Sequence, residues 1–267
     1  MARVRLDQLL TERGLARSRA EAQALILAGD VVLEGASTRR LKPGQLVEPQ
    51  AAVSLVDRPR WASRAGAKLE RALEAFGVAP GGLACLDAGA STGGFTDVLL
   101  ARGARVVYAV DVGRAQLIDR LRRDPRVVSM ERTNLRDVRE LPEPIELATL
   151  DLSFISLGAV LGSVRALLSA GGRVVALVKP QFEAGREAVP RGGVVRDPAV
   201  WRRVLEEVGE AGERAGLHAH RAIASPIAGG DGNVEFLVDL RQQPSRGAAY
   251  ARSVVAAVET APEPNGA

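Results

Sequence analysis

The chain has 267 residues, a formal net charge of +4, 46% hydrophobic residues and 25% charged residues. That length accommodates one large domain and a small one, and the composition excludes fibrous, disordered and disulfide-stapled classes. No apolar run reaches membrane-spanning length, Met1-Ala-Arg-Val-Arg-Leu-Asp carries no hydrophobic signal core, and the single cysteine, Cys85, lies in an apolar run; a cytoplasmic protein is expected.

Residues 3–13 place Val4, Leu6, Leu9 and Leu10 near helical spacing and stop at Gly14, which predicts a helix. Ser18-Arg-Ala-Glu21 is a capping-box pattern that opens a second helix, with Ala22, Leu25 and Ile26 on one face and Gly29 at its end. Val31–Leu33 and Leu46–Val47 read as short strands joined by a basic loop. Arginines 3, 5, 17, 19, 39 and 40, with Lys42, would form a phosphate-contacting face, and Arg64 would touch RNA or the domain interface. Residues 5–22 resemble the opening of the S4 RNA-binding domain.

Residues 1–59 are thus expected to form an RNA-binding domain, 60–63 a linker containing Trp61, 64–245 a catalytic domain and 246–267 a helix with a tail. Beyond residue 83, apolar runs at 83–88, 105–111, 126–130, 145–151, 172–178, 218–225 and 233–240 alternate with helical patterns at 94–102, 114–123, 155–169 and 198–215. Several runs are continuous, as strands buried on both faces require. The order predicts a doubly wound, mostly parallel α/β sheet with helices on both sides.

Leu86-Asp-Ala-Gly-Ala-Ser-Thr-Gly-Gly-Phe-Thr96 follows the first of these strands and leads into a helix. Gly89, Gly93 and Gly94 would let backbone approach a ligand beside a helix N-terminus, and Asp111, ending the next strand, could accept from both ribose hydroxyls. The spacing is not that of the dinucleotide fingerprint, no Gly-Lys-Ser/Thr follows, and an acid precedes the first glycine. A cationic donor with an amino-acid tail, S-adenosylmethionine, fits better than NAD(P) or a purely structural turn. Asp87, Gly89, Ala90, Ser91, Thr92, Gly93, Gly94, Phe95, Asp111 and Asn134 are the expected donor contacts.

Only three of the 36 basic side chains are lysine: Lys42, Lys68 and Lys179. A desolvated ammonium can release a proton where a guanidinium cannot, so a lysine that survives among arginines is a candidate proton acceptor. Lys179 and Asp151 fall at the C-terminal ends of strands, the edge where open α/β sheets bind ligands, and Lys68 precedes the first strand on an amphipathic helix. Glu235 interrupts an apolar strand and needs a partner.

Ser63-Arg-Ala-Gly-Ala-Lys-Leu69, Asp87–Thr96, Asp151-Leu-Ser-Phe-Ile-Ser-Leu157, Val178-Lys-Pro-Gln-Phe-Glu183 and Gly232-Asn-Val-Glu-Phe-Leu237 occur in that order. With the S4-like start they resemble the TlyA family, S4-domain rRNA 2′-O-methyltransferases with an FtsJ/RrmJ-like catalytic domain. The resemblance implies a Lys68–Asp151–Lys179–Glu235 tetrad acting on a cytidine ribose of one or both ribosomal subunits. Lys179 would accept or steer the hydroxyl proton, with Lys68 lowering its proton affinity and Asp151 orienting it. No metal is expected, nor a membrane partner, and a monomer is anticipated. Two competing readings are a non-catalytic ribosome assembly factor and a haemolytic, pore-forming protein, a label sometimes given to this family.

Overall fold

The computed structural model describes residues 3–28, 31–34, 41–55, 60–114, 116–229, 232–245 and 247–262. The chain divides into two compact units, residues 1–59 and 60–267.

The first unit runs β1 (Val4–Arg5), α1 (Leu6–Glu12), α2 (Arg19–Ala28), β2 (Val31–Leu33), β3 (Leu46–Val47) and β4 (Val53–Leu55). The helix expected from residue 3 begins only at Leu6, because Val4 and Arg5 pair antiparallel with Val47 and Leu46. The two expected strands do not pair with each other; Val31–Leu33 pairs instead with β4, which alternation alone did not mark. At the start of α2 the Glu21 N–H donates to Ser18 Oγ at 3.2 Å, and the Glu21 carboxylate returns to accept from the Arg17 N–H at 2.7 Å. That is a capping box displaced by one residue on the return leg. Leu6, Leu9, Leu10, Ala22 and Ile26 close a small core between the helices.

The second unit continues through α3 (Ala65–Phe76), β5 (Ala84–Ala88), α4 (Gly94–Ala101), β6 (Val106–Val110), α5 (Asp119–Arg122), β7 (Val127–Met130) and β8 (Ile145–Leu150). It ends with α6 (Leu161–Leu167), β9 (Leu168–Val178), α7 (Pro180–Glu183), α8 (Pro198–Arg214), β10 (His218–Ala224), β11 (Phe236–Arg241) and α9 (Gly247–Glu259). Seven strands form one sheet in the order β10-β11-β9-β8-β5-β6-β7. Only β11 is reversed, antiparallel to both its neighbours. Side chains alternate across it: Val174, Ala176 and Val178 of β9 join the core under α6, α8 and α9, while Val175 and Leu177 join the core under α3 and α4.

The chain leaves β5 towards β6 and β7, then returns to β8 on the other side of β5. The C-terminal ends of β5 and β8 therefore flank a topological switch point, where open sheets bind ligands.

Four local expectations are revised. The helix expected at 114–123 shrinks to Asp119–Arg122, because Asp111 Oδ1 accepts from the Gly113 N–H at 2.7 Å and turns the chain away. The 155–169 segment is a 3₁₀ turn at Leu157–Ala159 followed by α6. β11 begins at Phe236, so Glu235 stands just before the strand rather than inside it. The supposed linker is the first layer of the larger unit: Trp61 is buried against Gly66, where a Cβ would overlap its side chain, and its Nε1 donates to Glu70 at 3.3 Å.

Candidate active site

The site starts with a backbone requirement. Gly89 follows β5 with φ +83°, and a Cβ there would overlap the backbone oxygen of Asp151. Only glycine satisfies both conditions, so the glycine loop and the end of β8 are locked together. Asp151 N–H completes the junction by donating to the Ala88 carbonyl at 2.9 Å.

A cavity of about 400 Å³ opens over this junction. Gly89, Ser91, Asp111 and Asn134 wall it, together with apolar side chains such as Leu135, Leu152 and Ile155. Asp111 Oδ2 accepts from the Ser91 N–H at 2.8 Å, which fixes the carboxylate and holds Ser91 at a φ of 47°. Asn134 spends its Oδ1 capping the next turn through the Arg136 N–H at 3.0 Å, leaving its amide NH₂ for other partners.

Six expected donor contacts do not wall this cavity: Asp87, Ala90, Thr92, Gly93, Gly94 and Phe95. Asp87 is an odd-numbered residue of β5, on the face covered by α4, and is completely buried there. Its Oδ2 accepts from Thr96 Oγ1 at 2.6 Å, and Thr149 Oγ1 lies 3.3 Å from Oδ1. Burial pushes the Asp87 carboxyl up to about 7; the Thr96 bond opposes this and the Asp151 charge adds to it. Gly93 is pressed against Leu117 and Leu121, Gly94 against Ser63, and Phe95 is core. These residues shape the loop from behind.

The four tetrad candidates gather as two ion pairs. Lys68 Nζ lies 2.5 Å from Glu235 Oε2, with both side chains buried. Lys179 Nζ lies 2.7 Å from Asp151 Oδ1 and donates to Ser153 Oγ at 3.0 Å. Burial raises the Glu235 carboxyl, Lys68 and Lys179 lower it, and the Asp151 charge raises it again, so all four groups share one electrostatic neighbourhood. Lys68 is therefore neutralised by its own carboxylate rather than standing as an uncompensated cation beside Lys179.

Sequence reading missed the clamp that joins the segments following β8 and β9. Glu183, on α7, accepts from Ser156 Oγ at 2.6 Å and from the Leu157 N–H at 2.9 Å. Burial raises its carboxyl. It also missed an aromatic pair: Phe154 is 90% exposed with φ +63°, and its ring centroid lies 5.0 Å from that of Phe182. A bulky residue in the left-handed region and a bare phenyl ring in water are both costly, which marks a surface built for contact. The Asp-Leu-Ser-Phe motif was the available signal.

In the first unit, Arg5 and Arg19 both reach Asp7, a fully buried carboxylate that also accepts from Gln23 at 2.9 Å. Arg3 pairs with Glu48 at 3.2 Å. These three expected RNA contacts therefore have internal partners, while Arg17 and Lys42 are exposed; Arg39 and Arg40 lie outside the described residues. Arg64 is exposed at the start of α3 in the second unit. Cys85 is buried, with its thiol pushed up to about 12 by burial, and so is a packing residue. Among the described residues, no His/Cys/Asp/Glu group could hold a metal ion and no helix is long and apolar enough to cross a membrane.

The sequence profile of the FtsJ-like methyltransferase family matches residues 61–242, and that of the S4 domain matches residues 4–53. The 16S/23S rRNA (cytidine-2′-O)-methyltransferase TlyA of Mycobacterium tuberculosis is 48% identical over 250 residues, covering 91% of this chain and 92% of that protein. The chain belongs to the TlyA family. A second relative, Hemolysin A of Brachyspira hyodysenteriae, is 38% identical over 88% of this chain and 98% of its own length. A solved Streptococcus thermophilus structure, provisionally named a hemolysin, superposes with a TM-score of 0.73 at 40% identity, covering 97% of this chain and 95% of that one. The haemolysin label thus travels with proteins that are similar to this chain over most of their length.

Proposed function

We propose that the chain is an S-adenosylmethionine-dependent ribose 2′-O-methyltransferase acting on ribosomal RNA in the cytoplasm, with a cytidine as target. The observation that carries this reading is the convergence of Lys68–Glu235 and Lys179–Asp151 on the sheet edge beside the cavity at the switch point.

The cavity suits the donor. Asp111 is held by two backbone N–H groups yet each oxygen keeps a lone pair for a ribose hydroxyl, and Leu135, Leu152 and Ile155 offer apolar walls to a purine. Held there by Asp111 and the apolar walls, S-adenosylmethionine would supply an electrophilic sulfonium methyl, an O–CH₃ bond forming as the S–CH₃ bond breaks and a neutral thioether departs. The protein's tasks are alignment and proton removal. Asp151 and Ser153 hold Lys179 Nζ in place, and Lys179 takes or steers the 2′-hydroxyl proton or stabilises the developing alkoxide. The Lys68–Glu235 pair lies within electrostatic reach of Lys179 and Asp151 and adds no net charge there. Alignment alone contributes at most about 7–11 kcal/mol of barrier reduction.

Acceptor recognition is supported by the exposed Phe154 ring packed on the half-buried Phe182 beside Lys179, a surface on which an unstacked base can lie. The S4 domain would supply affinity for the rRNA backbone through exposed Arg17 and Lys42. Radiolabelled donor incubated with separate small and large subunits, followed by mapping of 2′-O-methyl positions, tests the proposal. Label at a cytidine ribose is expected; donor binding without transfer to either subunit would instead favour an assembly factor.

A further inference from the structure

A second charged feature of the larger unit lies outside the site just described. A cavity of about 660 Å³ runs along the outer edge of β10, the last strand of the sheet, between α3 and α9. Arg71 of α3, Arg221 of β10 and Arg252 of α9 converge on it, and all three are exposed. None makes an ion pair with a described residue. The acids of α3 are committed elsewhere: Glu70 and Glu74 both accept from Arg102. Arg221 anchors one guanidinium nitrogen on the Ala75 carbonyl and keeps its remaining donors.

Two features select the class of occupant. A free sheet edge normally invites strand addition, but here the Ala222 N–H is already taken by Ser253 Oγ at 2.9 Å, which blunts the edge against a pairing peptide. What remains is three guanidinium groups, uncompensated among the described residues, around an open groove, a surface complementary to an extended polyanion.

The groove also begins at the catalytic edge. Arg71 is three residues beyond Lys68 on α3, one helical turn away. Ser225, in the groove wall, donates its N–H to the backbone oxygen of Glu235 at 2.9 Å. A strand whose target ribose faces the Lys179–Asp151 pair therefore has a cationic track leading away past Lys68 and Glu235. We infer that this groove holds the phosphate backbone of the rRNA flanking the target nucleotide, as a contact of the methyltransferase unit separate from the S4 domain. The inference rests on the rRNA reading above.

The test uses the full chain with whichever ribosomal subunit the wild type methylates. R71A/R252A removes two exposed side chains, and R71K/R252K keeps the charge. The alanine pair should raise KM for the subunit roughly tenfold with kcat within about twofold, and lower the slope of log KM against log salt by about two, one for each lost phosphate contact. Donor affinity by calorimetry should be unchanged, and the lysine pair should recover most of the loss. R71A and R252A singly should each show part of the effect, which covers misfolding of the pair. An unchanged KM, or a raised KM with an unchanged salt slope, overturns the groove as a phosphate contact. If the wild type transfers no methyl group to either subunit, it is the rRNA reading that fails, before any variant is made.

Discussion

The two ends of the sheet in the larger unit carry buried charge in different ways. At one end of β9 and β11, Asp239 is sealed from solvent and receives Arg173 at 2.5 and 2.7 Å and Arg241 at 2.8 and 3.0 Å. Arg173 also binds the Phe76 carbonyl at 3.0 Å, so the cluster ties α3 to two strands. At the opposite end of the same strands stand Lys179–Asp151 and Lys68–Glu235. Guanidinium groups fix a carboxylate with directional forks and never give up their protons, whereas an ammonium can. Arginine does the bracing at the far end; two of the three lysines in the chain stand at the end where, on the proposed function, a proton must move.

Exchanging the two cations would break this comparison most severely at the lysine end. Lys179→Arg keeps the charge and can still pair with Asp151, yet should lower the methyl-transfer rate by about 10²–10⁴-fold, the usual worth of positioned proton transfer. Donor affinity by calorimetry should change little. Single-turnover rates on ribosomal subunits provide the measurement, and substantial residual turnover would remove Lys179 from the role given to it.

The far end should answer in stability. Asp239→Ala leaves Arg173 with only the Phe76 carbonyl and two cations facing each other, and should cost about 3–5 kcal/mol, as for other broken buried pairs. Arg173→Lys, which keeps a point charge but loses the fork, should cost less. Both Trp61 and Trp201 are buried in the larger unit, so fluorescence-monitored urea unfolding reports on it directly. A D239A enzyme that unfolds like the wild type would mean that the arginine cluster is idle.

Much of this architecture was legible in the sequence for physical reasons. Continuous apolar runs separated by helical patterns require a sheet covered on both faces, and the rarity of lysine singled out Lys68 and Lys179. Pairing was not legible. Which carboxylate meets which lysine depends on the sheet order, and nothing local to Glu235 says that Lys68, 167 residues earlier, will lie against it. Asp87 shows the same limit. An acid before a glycine loop reads as a ligand contact, but strand alternation turns it under α4, towards Thr96 and Thr149. In the smaller unit, basic residues drew attention as an RNA face, and the buried Asp7 that organises Arg5 and Arg19 was overlooked.

Asp87 gives the finest test, because it is a buried carboxylate with neither arginine nor lysine as a partner. Its folded-state pKa is pushed up to about 7 by burial, against roughly 4 for an unfolded chain. Between those values the folded state keeps a proton that the unfolded state has released, so this group's contribution is full below about pH 4 and lost as pH rises through about 7. The protonated acid can donate to Thr149 Oγ1 while Thr96 continues to donate to the other oxygen. Above neutrality a bare carboxylate faces Asp151 behind the donor loop. Thermal unfolding of the wild type should therefore weaken by a few degrees from pH 5 to pH 8, on the scale of about 2–4 °C per kcal/mol for a unit of this size. Asp87→Asn cannot ionise and should show a shallower decline; Glu235 and Glu183, raised in the same direction, preserve the remainder. Identical pH slopes for wild type and D87N would mean that Asp87 does not titrate between these values. The contrast with the arginine-braced end would then rest on the lysine pairs alone.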